Sequence, residues 1–124
     1  MCIRDRRLTL GRPIRRLGIV NRGEAAMRCI RAVKALRAVE GRELAAIAIF
    51  TDPDRDTPFV RHADESIEIR SDDGAVAAYL DHERVIDALK KMRVDAVWPG
   101  WGFVAEDPAF VTKLAEEGLS LIHI

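Results

Sequence analysis

The run Leu44-Ala45-Ala46-Ile47-Ala48-Ile49-Phe50 is apolar at every position and is closed by the turn-forming string Thr51-Asp52-Pro53-Asp54-Arg55-Asp56. A strand with one wet face alternates apolar and polar side chains with period two. A strand with no polar position is covered on both faces, as in a parallel sheet carrying helices on each side. This run therefore sets the class: α/β, with an open, mainly parallel sheet and helices on both faces.

The rest of the chain supplies elements for such a sheet. Leu17-Gly18-Ile19-Val20 is a short apolar strand, followed by the turn Asn21-Arg22-Gly23-Glu24. Ala26, Cys29, Ile30, Val33 and Leu36 recur at three- and four-residue steps and predict a helix over 24–39, with Glu24 and Arg28 spaced to pair. Gly41 ends that unit. One helical turn is expected over 59–63, an alternating strand over 66–69 and a loop over 71–74. Asp81 is a suitable N-cap for a helix reaching Met92. A strand over 94–98 leads into Pro99-Gly100-Trp101-Gly102-Phe103. Asp107-Pro108 opens a last helix that Gly118 closes. Leu119 begins one more strand.

Composition narrows the function classes. Lys+Arg and Asp+Glu both number 20 among 124 residues, so no net field draws the chain to nucleic acid or to an anionic membrane. No apolar run reaches the roughly 18 residues that a bilayer-spanning helix needs. Cys2 and Cys29 form no CxxC motif, and Cys29 lies in the apolar helical stripe; a buried free thiol fits a reducing, cytoplasmic setting. His62, His82 and His123 are scattered, without metal-ligand spacing. The first sixteen residues hold Arg4, Arg6, Arg7, Arg12, Arg15 and Arg16 without periodicity. The opening MCIRDR and the closing SLIHI both resemble translated sequencing-adaptor read-through. On that reading, residues 1–14 are a non-native or disordered Arg-rich lead, 15–119 are the domain, 120–124 are a truncation artefact, and the gene product is truncated.

Three segments are candidates for chemistry. The turn after the first strand is where an open α/β sheet places anionic ligands. Gly18-Ile19-Val20-Asn21-Arg22-Gly23 does not have the G-x-G-x-x-G spacing, and Arg22 and Glu24 put bulky side chains where a pyrophosphate needs bare backbone. In the plainer reading Asn21 and Gly23 make the turn, with Gly23 permitting close approach. The glycine turn at 99–103 either lines a site, with Trp101 offering a flat apolar face, or is a rigid turn with Trp101 packed on the core. Asp52, Asp54 and Asp56 suggest a divalent cation, but Arg55 among them opposes one, and an Arg–Asp knitted loop is the better reading. Arg28 and Arg31, on the polar side of the first helix, form a solvated face or a subunit contact. The lysines, Lys34, Lys90, Lys91 and Lys113, all fall on helix surfaces, and neither a P-loop nor G-x-S-x-G is present.

Taken together, the segments resemble the N-terminal domain of biotin carboxylase, the ATP-grasp component of biotin-dependent carboxylases. Ile19-Val20-Asn21-Arg22-Gly23-Glu24-Ala25-Ala26-Met27-Arg28 is similar to that family's I-A-N-R-G-E-I-A-x-R opening. Asp54-Arg55-Asp56 and Val60-Arg61-His62-Ala63-Asp64-Glu65 resemble its D-x-D-R-D…V-x-x-A-D-E. Tyr79-Leu80 resembles its S-Y-L, and Pro99-Gly100-Trp101-Gly102-Phe103-Val104-Ala105-Glu106 its H-P-G-Y-G-F-L-S-E. Trp98 and Trp101 stand where His and Tyr are usual, and the connection around 39–43 is longer; both lean toward the acyl-CoA carboxylase branch. Leu121-Ile122-His123-Ile124 replaces the expected F-I-G-P.

The resemblance implies a Rossmann-like, pre-ATP-grasp fold within a ligase that uses MgATP and bicarbonate to carboxylate biotin on a carrier protein. It implies a biotin carboxyl carrier, a carboxyltransferase and a second copy of the parent enzyme as partners. Gly100, Trp101, Gly102 and Phe103 would edge the substrate cleft. Asn21, Arg22, Gly23 and Glu24 would form the first βα turn, and Arg28 and Arg31 would lie at a homodimer contact. The family's catalytic and nucleotide-binding groups lie downstream of these motifs, so the chain alone is expected to be inactive. The rival readings are a stand-alone nucleotide-binding module and a non-enzymatic dimerisation domain.

Overall fold

The structure, a computed structural model, describes residues 13–101 and 107–122. Five strands form one sheet: β1 (Arg16–Ile19), β2 (Ala45–Phe50), β3 (Glu65–Glu68), β4 (Ala96–Trp98) and β5 (Ser120–Leu121). Their order is β3-β2-β1-β4-β5, and every neighbouring pair is parallel. The chain builds outward from β1 to β2 and β3, then returns to the other side of β1 for β4 and β5. That reversal puts a topological switch point between β1 and β4.

Parallel pairing requires a crossover for each connection, and the crossovers carry the helices. Helix α1 (Gly23–Glu40) follows β1 and ends at Gly41, whose left-handed φ of 63° lets its N–H reach the Arg37 carbonyl. A 3-10 turn (Asp52–Asp54) and α2 (Pro58–His62) join β2 to β3. Helices α3 (Ala75–Leu80) and α4 (His82–Lys91) carry the chain back across the sheet. Helix α5 (Pro108–Glu116) links β4 to β5. The expected caps form: Asp81 accepts from the Arg84 N–H and Asp107 from the Ala109 N–H, with Pro108 opening α5.

Two cores, one per face, verify the reading of β2. Leu17, Ile19, Ala46, Ala48, Phe50 and Trp98 pack with α1 and with Phe59 of α2. Ile47, Ile49 and Val97 pack with Tyr79 of α3, Val85 and Leu89 of α4 and Phe110 of α5. Gly18, paired with Ile47 on one side and Val97 on the other, faces Leu89 of α4. A Cβ there would lie 2.5 Å from a Leu89 methyl and 3.3 Å from Val94.

Three expectations need correction. The interval before Asp81 contains α3, six residues too short to display helical periodicity, begun at Gly74 without a side-chain cap. Glu24 pairs with Arg31 at 2.8 Å, two turns along the helix, instead of with Arg28. The domain also extends past 15–119 on both sides. Ile14 is fully buried, Ser120 and Leu121 form β5, and Ile122 is buried with its N–H on the Val97 carbonyl at 2.8 Å. Cys2, His123 and the arginines up to Arg12 lie outside the described residues.

Candidate functional site

The switch point is occupied by a side chain of the protein itself. The Val20 N–H still donates to the Trp98 carbonyl at 3.0 Å, and beyond it a side chain bridges the gap between the ends of β1 and β4. Asn21, buried, lies in the gap. Its Nδ2 donates to the Pro99 and Trp101 carbonyls, both at 2.8 Å, and its Oδ1 accepts the Arg22 N–H at 2.8 Å. All three partners fix the orientation of the carboxamide, because a flipped amide would set its oxygen against two carbonyls. Gly100, between the two accepting residues, has a φ of +64°. A Cβ on it would lie 2.6 Å from Asn21 Nδ2 and 2.9 Å from the Trp98 ring. Glycine is required there on both counts.

Of the two readings of the glycine turn, this geometry shows a rigid turn but not a packed Trp101. Trp98 is buried, whereas Trp101 is 64% exposed. Gly102 and Phe103, the other expected members of the cleft edge, lie outside the described residues, as do Val104, Ala105 and Glu106.

Arg22 does not crowd the crevice. Its guanidinium forks onto Asp54, Nε to Oδ2 at 2.7 Å and Nη2 to Oδ1 at 2.6 Å. This bidentate, charge-assisted contact raises the Arg22 pKa further above its usual range. Asp54 is 3% exposed in the 3-10 turn after β2, and its carbonyl accepts from the Thr57 hydroxyl at 2.6 Å. Arg55 binds Asp52 at 3.1 Å and also Glu68. The acidic loop is thus the knitted loop expected of it. Beside it, burial pushes the Tyr79 hydroxyl up, and that hydroxyl donates to the Ile49 carbonyl at 3.1 Å.

Gly23 differs from what its spacing suggested. Nothing lies within 4 Å of the position its Cβ would take, so its requirement is a φ of +62° and not close approach. Arg28 and Arg31 are both exposed on α1. Cys29 is buried, and burial raises its thiol pKa to about 12. All four lysines are on helices; Lys90 pairs with Glu117 at 3.1 Å and Lys113 with Glu83 at 3.7 Å. Among the described residues no group of three or more His, Cys, Asp or Glu side chains could hold a metal ion. The described residues therefore do not fit MgATP: the crevice is spanned by Asn21, and the guanidinium of the adjoining Arg22 is committed to Asp54.

Sequence reasoning had no means of pairing Asn21 with residues almost eighty positions away, or Arg22 with Asp54. The only local signal was that all of them follow the carboxyl ends of strands. Two open clefts, of about 460 and 530 Å³, lie elsewhere, alongside β3 and α4, and share Glu68, Ile69, Arg70 and Arg84. Among the described residues no helix is long and apolar enough to cross a membrane.

An all-parallel, doubly wound sheet whose switch point is bridged by a side-chain amide defines a Rossmann-like domain. The family model described as biotin carboxylase, N-terminal domain, matches residues 13–123, and the chain belongs to that family. It is 38% identical over 109 residues to a pyruvate carboxylase of Staphylococcus aureus, covering 88% of this chain and 9% of that protein. It is 37% identical over 101 residues to the biotin-dependent acyl-coenzyme A carboxylase alpha3 subunit of Mycobacterium leprae, covering 82% of this chain and 16% of the relative. Among solved structures, the biotin carboxylase domain of a single-chain bacterial carboxylase superposes with a TM-score of 0.76 at 33% identity, over 86% of this chain and 23% of that one. A complete multifunctional pyruvate carboxylase from Rhizobium etli gives 0.77 at 30% identity, over 88% and 11%. The chain thus spans less than a quarter of each of these relatives.

Proposed function

We propose that this chain is the amino-terminal wall of a biotin carboxylase, a ligase that uses MgATP to activate bicarbonate and carboxylate biotin held on a carrier protein. The observation that carries the reading is the exposed Trp101, presented by a stapled glycine turn at the switch point of a domain belonging to this family. In α/β sheets that is the edge on which ligands are met. Gly100 and Trp101, with Gly102 and Phe103 beyond the described residues, form the rim of the biotin cleft. Asn21, Arg22, Gly23 and Glu24 shape it from the β1 side. Phosphate, magnesium and bicarbonate are handled by parts of the enzyme downstream of these residues, so the chain alone is inactive.

The parent enzyme works with a biotin carboxyl carrier and a carboxyltransferase in the cytoplasm. Arg28 and Arg31 on the open face of α1 contribute to a homodimer contact. Trp98 and Trp101 lean toward the acyl-CoA carboxylase branch of the family without naming the acceptor. The relatives include pyruvate and acyl-CoA enzymes, and the acceptor is a property of the transferase.

The test is to compare this chain with one extended by its downstream reading frame. The extended chain is expected to fix labelled bicarbonate on biotin at the expense of ATP, while the 124-residue chain neither hydrolyses ATP nor binds it saturably. Tight ATP or NAD binding by the short chain would replace this reading with a nucleotide-binding module. Dimers abolished by Arg28→Glu, in a chain whose extended form lacks carboxylase activity, would replace it with a dimerisation domain.

A further inference from the structure

We propose that Asn21 is a positioning residue: its carboxamide, spanning the crevice between β1 and β4, holds the turn at 99–101 in the single conformation that presents Trp101 outward. The proposal deepens the reading of Trp101 as the rim of the biotin cleft and rests on it for its functional meaning.

The geometry is specific to this role. Two N–H groups of one amide engage two carbonyls that flank Gly100, at Pro99 and at Trp101, each at 2.8 Å. Pinning the Pro99 and Trp101 carbonyls holds the 99–100 and 101–102 peptide planes, so Gly100 and Trp101 lie together between two held planes. Gly100 is the residue with the most freedom to lose, since glycine populates positive and negative φ about equally. Its φ of +64° is therefore chosen by its surroundings. The third bond, from the Arg22 N–H to Asn21 Oδ1 at 2.8 Å, removes the flipped amide as an alternative. Arg22 is itself forked to the buried Asp54, so the frame supporting the amide is anchored to the turn after β2. Trp98, one residue before the staple, is buried, and Trp101, at its far end, is exposed; the staple lies where the chain passes from core to surface. Without it, nothing among the described contacts of Trp101 fixes which way that exposed ring leaves the sheet.

The chain has only two tryptophans, so 5-fluorotryptophan labelling gives one fluorine resonance for Trp98 and one for Trp101. Trp98→Phe identifies them. Asn21→Asp keeps the shape of the side chain but turns both donors into acceptors facing carbonyls. In the full 124-residue chain, with folding verified by circular dichroism, Asn21→Asp is expected to split or broaden the Trp101 line and to leave the Trp98 line dispersed. Asn21→Ser, with one donor in place of two, is expected to do so to a lesser degree. A purely structural role for Asn21 would lower the melting temperature without creating new Trp101 environments in the folded protein. A single, narrow, unmoved Trp101 line in folded Asn21→Asp overturns the proposal. So does failure of both variants to fold, which would make Asn21 a folding residue instead. Because this readout needs neither biotin nor ATP, its failure is distinct from failure of the carboxylase reading. The latter shows only in the extended chain.

Discussion

The two ends of the sheet solve the same problem with different chemistry. At the amino end, carboxylates take up the strand-entry N–H groups. Asp95 Oδ2 accepts from both the Arg15 and Arg16 N–H at 2.9 Å, and Asp64 Oδ2 accepts from the Ala46 N–H at 2.8 Å while binding Arg37 at 2.8 Å. Arg16 then reaches across β2 to fork onto Glu65 at 2.8 and 2.9 Å. These pairs are part-exposed, redundant and screened by water, so each is worth little alone. At the carboxyl end the work falls to one neutral amide and one buried carboxylate, Asn21 and Asp54. Neither has a substitute, and both are removed from water, where an unmade bond is expensive. The amino end therefore tolerates variation and holds the sheet together. The carboxyl end does not, because Asn21 and Asp54 alone fix the shape of its turns.

Substitutions at the two ends, ranked by effect, test this contrast. Gly100→Ala is expected to be the most damaging, at about 3 kcal/mol, since it adds left-handed strain to a collision with the Asn21 amide. Urea unfolding would read it, and a loss no larger than that of Gly23→Ala would break the comparison. Asp54→Asn should follow at about 2 kcal/mol, because the fork onto Arg22 loses its charge assistance in a buried position. A loss indistinguishable from that of an exposed ion pair would place Asp54 with the amino-end carboxylates. Gly23→Ala has open space around it and pays only for its φ, about 1 kcal/mol. Glu65→Gln should be smallest, and its pH dependence sharpens the point. The hydrogen bonds from Arg16 hold the Glu65 carboxyl below the usual glutamate range. Its contribution is therefore complete above that range and is lost as the pH falls through the lowered native value. Wild type and Glu65→Gln should then differ at neutral pH and converge in acid; a constant difference across that interval would remove the linkage. Independently of the two ends, Cys29, with its pKa near 12, should resist iodoacetamide at pH 8 until the chain unfolds, as followed by mass mapping of its peptide.

Much of the fold was legible because its signals are local. The unbroken apolar run of β2 required cover on both faces, and Asp81 and Asp107-Pro108 declared helix starts through bonds that span two or three residues. Helix α3 was not legible, because six residues hold less than two turns and Gly74 offers no cap. The candidate site was legible only as segments. Its motifs named Asn21, Arg22 and Gly100 as members of turns, and resemblance grouped them with a family. Glu24 was assigned the wrong arginine because side chains one and two turns along a helix are both within reach, and spacing alone does not choose between them.

The amino-acid sequence by itself determined the class of fold, the positions of most helices and strands and the family, since periodicity, caps and motifs are written within a few residues of where they act. The tertiary structure alone decided that the switch point is bridged by Asn21, that Arg22 turns away to Asp54, and that Trp101 is exposed while Trp98 is buried. Those outcomes depend on hydrogen bonds between residues 32 to 80 positions apart, which exist only once parallel pairing has brought the carboxyl ends of β1, β2 and β4 side by side.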